Sequence, residues 1–184
     1  MTAINFSDSP IIAAVRSYDD FKLALRANIN TIFLLSSNIL NIERYTKEAR
    51  AAGKKLFVHM DFIDGISKDA AGVAYLATKN IDGIISTRSG IVKYASEKGI
   101  PTVQRFFMVD SRSVDTAIET MRASHPSMIE IMPAIAYKTI TKLRKNTSVP
   151  IIAGGLIEGK DEIFAAISAG ASGISTGAAD LWNL

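Results

Sequence analysis

Hydrophobic residues along this chain fall into short runs that alternate with amphipathic segments. The runs are rich in Ile, Val and Phe and are bounded by Gly, Pro or Asn, which is typical of buried parallel strands. Segments with helical spacing of apolar residues lie between them. The pattern therefore predicts eight strands, at 10–16, 31–37, 55–61, 83–87, 101–108, 128–133, 149–155 and 173–177.

The segments between the runs carry the end signals of helices. Ser17 is a candidate N-cap with acidic residues just after it, and Gly53 and Gly99 close two other segments. Strands begin at intervals of roughly 20–27 residues, the length of a compact βα unit. We therefore predict an α/β fold, a compact (β/α)8 TIM-type barrel with short loops, as one domain at 1–184. Its last helix is truncated to the stub at 178–184, and a seven-stranded or open sheet is the alternative.

Composition excludes several classes of protein but does not identify the class to which this chain belongs. The 184 residues include no cysteine, which excludes disulfides and thiolate metal sites and fits a reducing cytoplasm. The start lacks the pattern of a signal peptide, and no apolar run is long enough to span a bilayer. We therefore expect a cytoplasmic protein with no membrane partner. The net charge of +3 permits an anionic partner without requiring one.

Glycines stand where the seventh and eighth predicted strands end. The seventh ends in Gly154 and Gly155, and the eighth in Ser175, Thr176 and Gly177. Glycine lets backbone N–H groups face an anion closely, and a following helix N-terminus adds a positive dipole end. A phosphate site formed by the loops after strands 7 and 8 recurs in barrel enzymes. These residues are therefore our candidates for phosphate binding, the alternative being plain turn glycines.

The other strand ends are unusually polar. Charged groups are costly to bury under the helix layer, so we expect these side chains to point into the barrel mouth and bind a ligand. His59 and Asp61, two apart, should share a face of the third strand. The alternative is a buried network that closes the mouth, with Arg88 paired to Glu130 for example. The candidates are Arg16, His59, Asp61, Ser86, Arg88, Gln104, Arg105 and Glu130.

Reactive arrangements are weak by comparison. His59 with Asp61 is a candidate acid–base pair, and the two with Glu130 make only a weak metal signal. No lysine stands at the C-terminal end of a strand to form a Schiff base, and no Ser–His–Asp spacing or Walker loop is visible. The residues alone therefore indicate a phosphate-binding barrel with no evident reaction, metal or cofactor.

Six motifs spread from end to end resemble the glycerol uptake operon antiterminator family. They are VHMDFIDGI, DGIISTR, QRFFMVDS, IEIMP, PIIAGGLI and the closing LW. The resemblance implies a regulatory barrel rather than an enzyme. It implies that glycerol 3-phosphate binds as the effector, and that the protein then binds leader mRNA and prevents transcription termination ahead of glycerol-use genes. The chain departs from the family at Ala134, where a glycine is usual, near Tyr137, where a proline is frequent, and at Gly177, where a polar residue is frequent.

The small phosphorylated polyol that the resemblance implies fits the residues already singled out, and we assign their roles from their positions. Backbone N–H groups near Gly155 and Gly177 would bind the phosphate, with Ser175 adding a hydroxyl. Asp61, Glu130 or His59 would bind the polyol hydroxyls, and Arg16 or Arg88 would add positive charge.

The sequence says less about RNA. Two basic stripes at helical spacing are the candidate RNA-binding surfaces, and a homo-oligomer would double either one. The alternative is that each is an ordinary solvated helix face. Three functions therefore stay open: an effector-dependent RNA-binding regulator, a phosphosugar-handling enzyme such as an isomerase, and a binding-only remnant. The stripes are Arg44, Lys47 and Arg50, and Lys138, Lys142 and Lys145.

Overall fold

A computed structural model describes residues 4–110 and 112–184. Its eight barrel strands are all parallel and close on themselves in chain order, so the prediction of a (β/α)8 barrel is confirmed. A single domain over 1–184 stays a prediction, and Ser111, in one of the quoted motifs, lies outside the described residues. The strands are β1 Ile11–Val15, β2 Thr31–Leu34, β3 Lys55–His59, β4 Gly83–Ser86, β5 Thr102–Phe107, β6 Met128–Met132, β7 Ile151–Gly154 and β8 Gly173–Thr176.

Within the described residues, seven helices cover the outside of the barrel. Ser17 caps the first of them, as predicted: its hydroxyl accepts a hydrogen bond from Asp20 N, and the carboxylate of Asp20 accepts one from Ser17 N. No helix in the part of the chain that the structure describes is long and apolar enough to cross a membrane. The helices are α1 Tyr18–Arg26, α2 Ile42–Ala51, α3 Ala70–Ala77, α4 Ser89–Glu97, α5 Arg112–Ser124, α6 Tyr137–Asn146 and α7 Lys160–Ser168.

Shorter elements complete the ring. A 3-10 turn at Met60–Phe62 follows β3, and the two-residue strands Ser37–Asn38 and Ile63–Asp64 pair outside the barrel. In place of an eighth helix the chain forms a 3-10 turn at Ala179–Leu181. Trp182 then packs into the core, where its indole N–H donates to the carbonyl of Thr176 at 2.9 Å.

Strand alternation separates two apolar cores. One core fills the space between the sheet and the helices. The other lies inside the barrel, and seven of its residues come from seven different strands, with Ile4 below them. Side chains two residues apart on a strand point to the same face. The residues two positions after these therefore form the next layer inside the barrel. The residues of the inner core are Ile4, Ile12, Phe33, Phe57, Ile85, Val103, Met128 and Ile152.

The layer above the inner core is polar. Counting two positions on from Phe57, Val103 and Met128 gives His59, Arg105 and Glu130. Counting on from Ile152 gives Gly154, and the equivalent position of β8 is Ser175. The mouth of the barrel is therefore lined by polar groups that rest on an apolar floor.

The inner core depends on glycines where rings cross the barrel. A Cβ at Gly83 would overlap the ring of Phe57 and approach the carbonyl of Pro101 to 2.8 Å. We expect Gly83→Ala to lower the free energy of unfolding by about 1–3 kcal/mol, the usual range for overpacking. Urea unfolding measures the change. Gly90→Ala in α4 is the control: nothing lies within 4 Å of its new Cβ, so it should leave stability unchanged or raise it by up to about 1 kcal/mol.

Candidate ligand site at the mouth of the barrel

A cavity of about 640 Å³ opens at the C-terminal ends of the strands. A smaller cavity of about 270 Å³ lies beside it, and the two share Arg16, Leu35 and Arg105. Seven of the predicted site residues line the larger cavity, whereas His59, Asp61, Ser86, Arg88, Gln104 and Gly154 do not. The lining is Ala14, Arg16, Leu35, Arg105, Phe107, Glu130, Met132, Pro133, Gly155, Leu156, Ile157, Glu158, Ser175, Thr176, Gly177 and Ala178.

A buried ion pair forms one wall of this cavity. Arg105 Nε lies 2.6 Å from Glu130 Oε2, and the two side chains are 7% and 0% exposed. The residues are register partners on β5 and β6, and both face the interior. A charge this deep is tolerable only with a partner. Arg105 and Glu130 therefore have to be considered as one unit.

The example of Arg88 paired with Glu130 is wrong. Arg88 lies beyond the end of β4, where its side chain is 58% exposed and its Nε is 3.8 Å from Asp61 Oδ1. Arg105 is closer to Glu130 because the two strands are hydrogen-bonded neighbours in register. Register between distant segments, rather than local sequence, determines the partner.

The second oxygen of Glu130 is unsatisfied. Oε1 is buried and accepts no hydrogen bond from residues 4–110 or 112–184. It lies directly over the backbone of Gly154, where a Cβ would come within 2.5 Å of it. Gly154, predicted to bind phosphate, therefore makes room for the Glu130 carboxylate.

His59 lies inside the barrel and is 1% exposed. Neither ring nitrogen has a hydrogen-bond partner within the described residues, and the ring packs on Phe62 at a centroid distance of 4.8 Å. Burial, assisted by the positive charge of Arg105, lowers the pKa of His59 to about 4 against the opposing effect of Asp61. His59 is therefore neutral at pH 7.

Asp61 does not share a face with His59, contrary to prediction, because the 3-10 turn Met60–Phe62 ends the strand. Its carboxylate accepts hydrogen bonds from Ser86 Oγ at 2.7 Å, Thr87 N at 2.8 Å and Thr87 Oγ1 at 2.9 Å. Burial acts to raise the pKa of Asp61, but these bonds hold it below its usual value. Asp61 is bonded to the end of β4, and the predicted acid–base pair with His59 is not formed.

Three predicted residues point away from the mouth. Ser86 follows the inward-facing Ile85 and is the register partner of Gln104, so it faces outward with it, and the expectation that it points into the mouth is wrong. Gln104 stands between the inward-facing Val103 and Arg105, so its side chain faces α5, where its Oε1 accepts from Ser124 Oγ at 2.6 Å. The expectation that Gln104 points into the mouth is wrong. Thr176 contributes to the lining, but its hydroxyl donates to Ile157 O and accepts from Ala178 N, each at 3.1 Å.

The loop after β7 has the backbone conformation that glycine favours. Gly155 and Leu156 both have left-handed φ, at +77° and +58°. The N–H groups of Gly155 and Gly177 donate to no acceptor among the described residues. Glu162 Oε2 accepts from the N–H groups of Glu158 and Gly159, so the start of α7 is already capped by its own carboxylate. The predicted help from that helix N-terminus is therefore reduced.

The basic stripes lie on opposite sides of the barrel, because α2 follows β2 and α6 follows β6 in a ring of eight. On α2, Arg44 and Lys47 each pair at 2.8 Å with an acid of the same helix. On α6, Lys142 pairs with Asp115 of α5 at 3.1 Å. The other three members form no ion pair within residues 4–110 and 112–184; they are Arg50, Lys138 and Lys145.

The apolar and loop residues that line the cavity were not predicted from the sequence. Phe107 and Met132 line the cavity two positions beyond Arg105 and Glu130, so counting by two from the apolar floor finds all four. Leu156 and Glu158 belong to a loop and carry no such signal. No three His, Cys, Asp or Glu side chains converge as metal ligands among the residues with described positions.

The lowered pKa of His59 has a consequence for stability. In the unfolded chain the imidazole binds a proton near pH 6.5, whereas in the folded protein it does so only near pH 4. Between these values the unfolded state binds more protons, so stability should fall as the pH falls from about 6.5 to 4, by roughly 3 kcal/mol in all. Urea unfolding at a series of pH values measures this. His59→Leu should flatten the dependence in that window, and the control His125→Asn, on an exposed loop, should keep it. An unchanged slope in His59→Leu would contradict the assignment.

Comparison with known proteins agrees with this architecture. The chain is 33% identical over 177 residues to YgcP of Escherichia coli K12, an uncharacterized protein, covering 96% of this chain and 93% of that one. The glycerol uptake operon antiterminator regulatory protein of Listeria monocytogenes superposes with a TM-score of 0.92 at 30% identity, over 97% of each chain. A glycerol uptake operon antiterminator-related protein of Thermotoga maritima superposes with a TM-score of 0.84 at 33% identity, over 94% of this chain and 96% of its own. The family model of the glycerol-3-phosphate responsive antiterminators matches residues 11–182. The chain belongs to the glycerol-3-phosphate responsive antiterminator family.

Proposed function

We propose that this protein binds glycerol 3-phosphate in the mouth cavity and then binds leader mRNA, preventing transcription termination ahead of glycerol-use genes. The observation that carries the proposal is the cavity itself. In a chain of this family, it brings unbonded backbone N–H groups of the β7 and β8 loops together with Arg16 and Glu130. These groups suit a small molecule with a phosphate at one end and hydroxyls at the other.

The size of the cavity and the unpaired cation at its edge support a small anion. Its volume of about 640 Å³ is within the usual range for small-molecule sites, about 300–1,000 Å³. Glu130 neutralises the charge of Arg105 and accepts from its Nε–H, so Arg105 attracts an anion less strongly than an unpaired arginine would. Arg16 is exposed at the edge of the cavity, and no acid lies within 4.0 Å of it in the described residues. We therefore assign the phosphate to the N–H groups of Gly155 and Gly177, with Arg16 as the opposing charge.

This assignment predicts a loss of affinity on removal of one charge. Arg16→Gln should weaken glycerol 3-phosphate binding by about 10- to 100-fold, because a hydrogen bond to a charged group contributes about 1.5–3 kcal/mol. Isothermal titration calorimetry measures it. Gly155→Ala is a poor probe, since φ of +77° strains any residue with a Cβ.

Arg26→Gln is the matched control, because Arg26 lies in the last turn of α1, at the opposite end of the barrel from the mouth. It should bind glycerol 3-phosphate like the parent. Equal affinities in Arg16→Gln and Arg26→Gln would refute the phosphate position. Conversion of glycerol 3-phosphate or triose phosphates by the parent, lost in His59→Leu, would instead support the isomerase-like alternative.

The sequence of α6 makes it the better RNA-binding surface. It carries four cations and no acid, whereas α2 carries three cations and two acids. Arg44 and Lys47 on α2 are bound to those acids, while Lys138 and Lys145 on α6 are exposed and have no ion-pair partner among the described residues. RNA phosphates attract such unpaired cations most strongly. We therefore place the RNA on α6 rather than on both stripes.

The position of α6 also provides a route from effector to RNA. Met132 and Pro133, which lead into α6, line the cavity. Ala134 N donates to Gly155 O at 3.1 Å, so the loop before α6 is hydrogen-bonded to the loop that would hold the phosphate. A ligand that fixes the Gly155 loop thereby fixes the approach to α6. Such a ligand favours one arrangement of the basic surface, as effector control requires.

The α6 surface predicts a salt-dependent loss of RNA binding. Lys138→Gln with Lys145→Gln should lower leader-RNA affinity by roughly tenfold and reduce the slope of log affinity against log salt by about 1.4, since a single-stranded phosphate contact contributes about 0.7. Gel-shift titrations at several salt concentrations, with glycerol 3-phosphate present, measure both quantities.

Arg44→Gln with Lys47→Gln is the control, because it removes the same charge from the opposite side of the barrel, where both cations are already paired. It should bind RNA like the parent, and both variants should keep their affinity for the effector. If only the α2 variant loses RNA binding, or neither does, the α6 assignment is refuted.

A further inference from the structure

The two carboxylate oxygens of Glu130 have different environments. Oε2 is fixed by Arg105 Nε at 2.6 Å. Oε1 is buried, has no hydrogen-bond partner among the described residues, and lies over Gly154 in the wall of the cavity. The glycine is needed for this arrangement, since any side chain at 154 would displace the oxygen. The protein therefore keeps an unused hydrogen-bond acceptor beside its ligand cavity.

A carboxylate whose other oxygen is bound to a guanidinium can only accept at the free one. A buried acceptor without a donor is unfavourable, and a ligand that supplies the donor relieves that penalty. A hydroxyl supplies one. A ketone or aldehyde oxygen at the same place supplies none and sets two acceptors against each other.

We infer that Glu130 determines specificity by admitting phosphorylated alcohols and rejecting the corresponding carbonyl compounds. The inference rests on the proposed function, because it concerns the same cavity. Glycerol 3-phosphate and dihydroxyacetone phosphate have the same heavy-atom skeleton and differ only at the central carbon, where one carries a hydroxyl and the other a ketone. Because Glu130 accepts a hydrogen bond from the hydroxyl at that carbon, the protein responds to glycerol 3-phosphate, the reduced of the two compounds.

Replacing Glu130 by Gln should invert the polarity of this position. Arg105 Nε is a donor, so it will bind the amide oxygen of Gln. The amide nitrogen then takes the place of Oε1 and presents a donor to the cavity. The shape of the site is retained, while the group it prefers changes from hydroxyl to carbonyl.

The test is calorimetric titration of the full chain with each of the two phosphates. The parent should bind glycerol 3-phosphate about 10- to 100-fold more tightly than dihydroxyacetone phosphate, the range expected for a hydrogen bond to a charged group. In Glu130→Gln this ratio should fall to about 1 or below. Glu158→Gln is the matched control: it removes the same charge from an exposed position of the same cavity lining, so it should change both affinities by the same factor and leave the ratio intact.

Each outcome separates the inference from the proposed function. Failure of the parent to bind either phosphate would refute the proposed effector and this inference with it. Equal affinity of the parent for both would refute the inference alone, and this arm does not require the variant to fold. A ratio in folded Glu130→Gln equal to that of the parent would also overturn it.

Discussion

The pairing of Arg105 with Glu130 is the constraint on which the rest of the mouth depends. Two charges are held inside the barrel because β5 and β6 place them in register and both face inward. Loss of either partner would leave an isolated buried charge, which typically destabilises a protein by about 3–5 kcal/mol. The pair also requires a glycine at position 154, since the Glu130 carboxylate occupies the space that a side chain there would need. The wall of the cavity, and the acceptor it offers, are consequences of this one arrangement.

Electrostatic neutrality underlies the proposed division of function between the mouth and the outside. In the mouth Arg105 and Glu130 neutralise each other, which in the proposed site leaves ligand selection to backbone N–H groups, one exposed arginine and one carboxylate oxygen. On the outside, α2 neutralises most of its own charge through pairs four residues apart, whereas α6 has no acid with which to do so. The two helices carry similar numbers of basic residues, but α2 has two acids to pair with them and α6 has none.

Much of the fold could be predicted from the sequence, since short apolar runs at regular intervals indicate the strands of the barrel. The glycine at 155 likewise indicates the tight turn after β7. The orientation of strand residues could not be predicted. In a barrel both faces of a strand are covered, so hydropathy does not alternate, and Gln104 looks as suited to the mouth as Arg105. The predicted orientation of Asp61 is wrong because the strand ends at His59 and a 3-10 turn follows, and nothing in the local sequence marks that end. The partner of Glu130 depends on a register between segments 25 residues apart, which no local pattern contains.

The inner apolar core has a further consequence for ligand exchange. It fills the barrel beneath the polar layer, so the cavity does not continue through the barrel, and a molecule bound there would leave through the mouth by which it entered. The mouth is bordered by residues that follow β1, β2, β6, β7 and β8, and the loop after β6 leads into α6. Entry and exit of the proposed effector would therefore both take place beside the loop that leads into α6, so the proposed RNA-binding helix would begin next to the route of exchange.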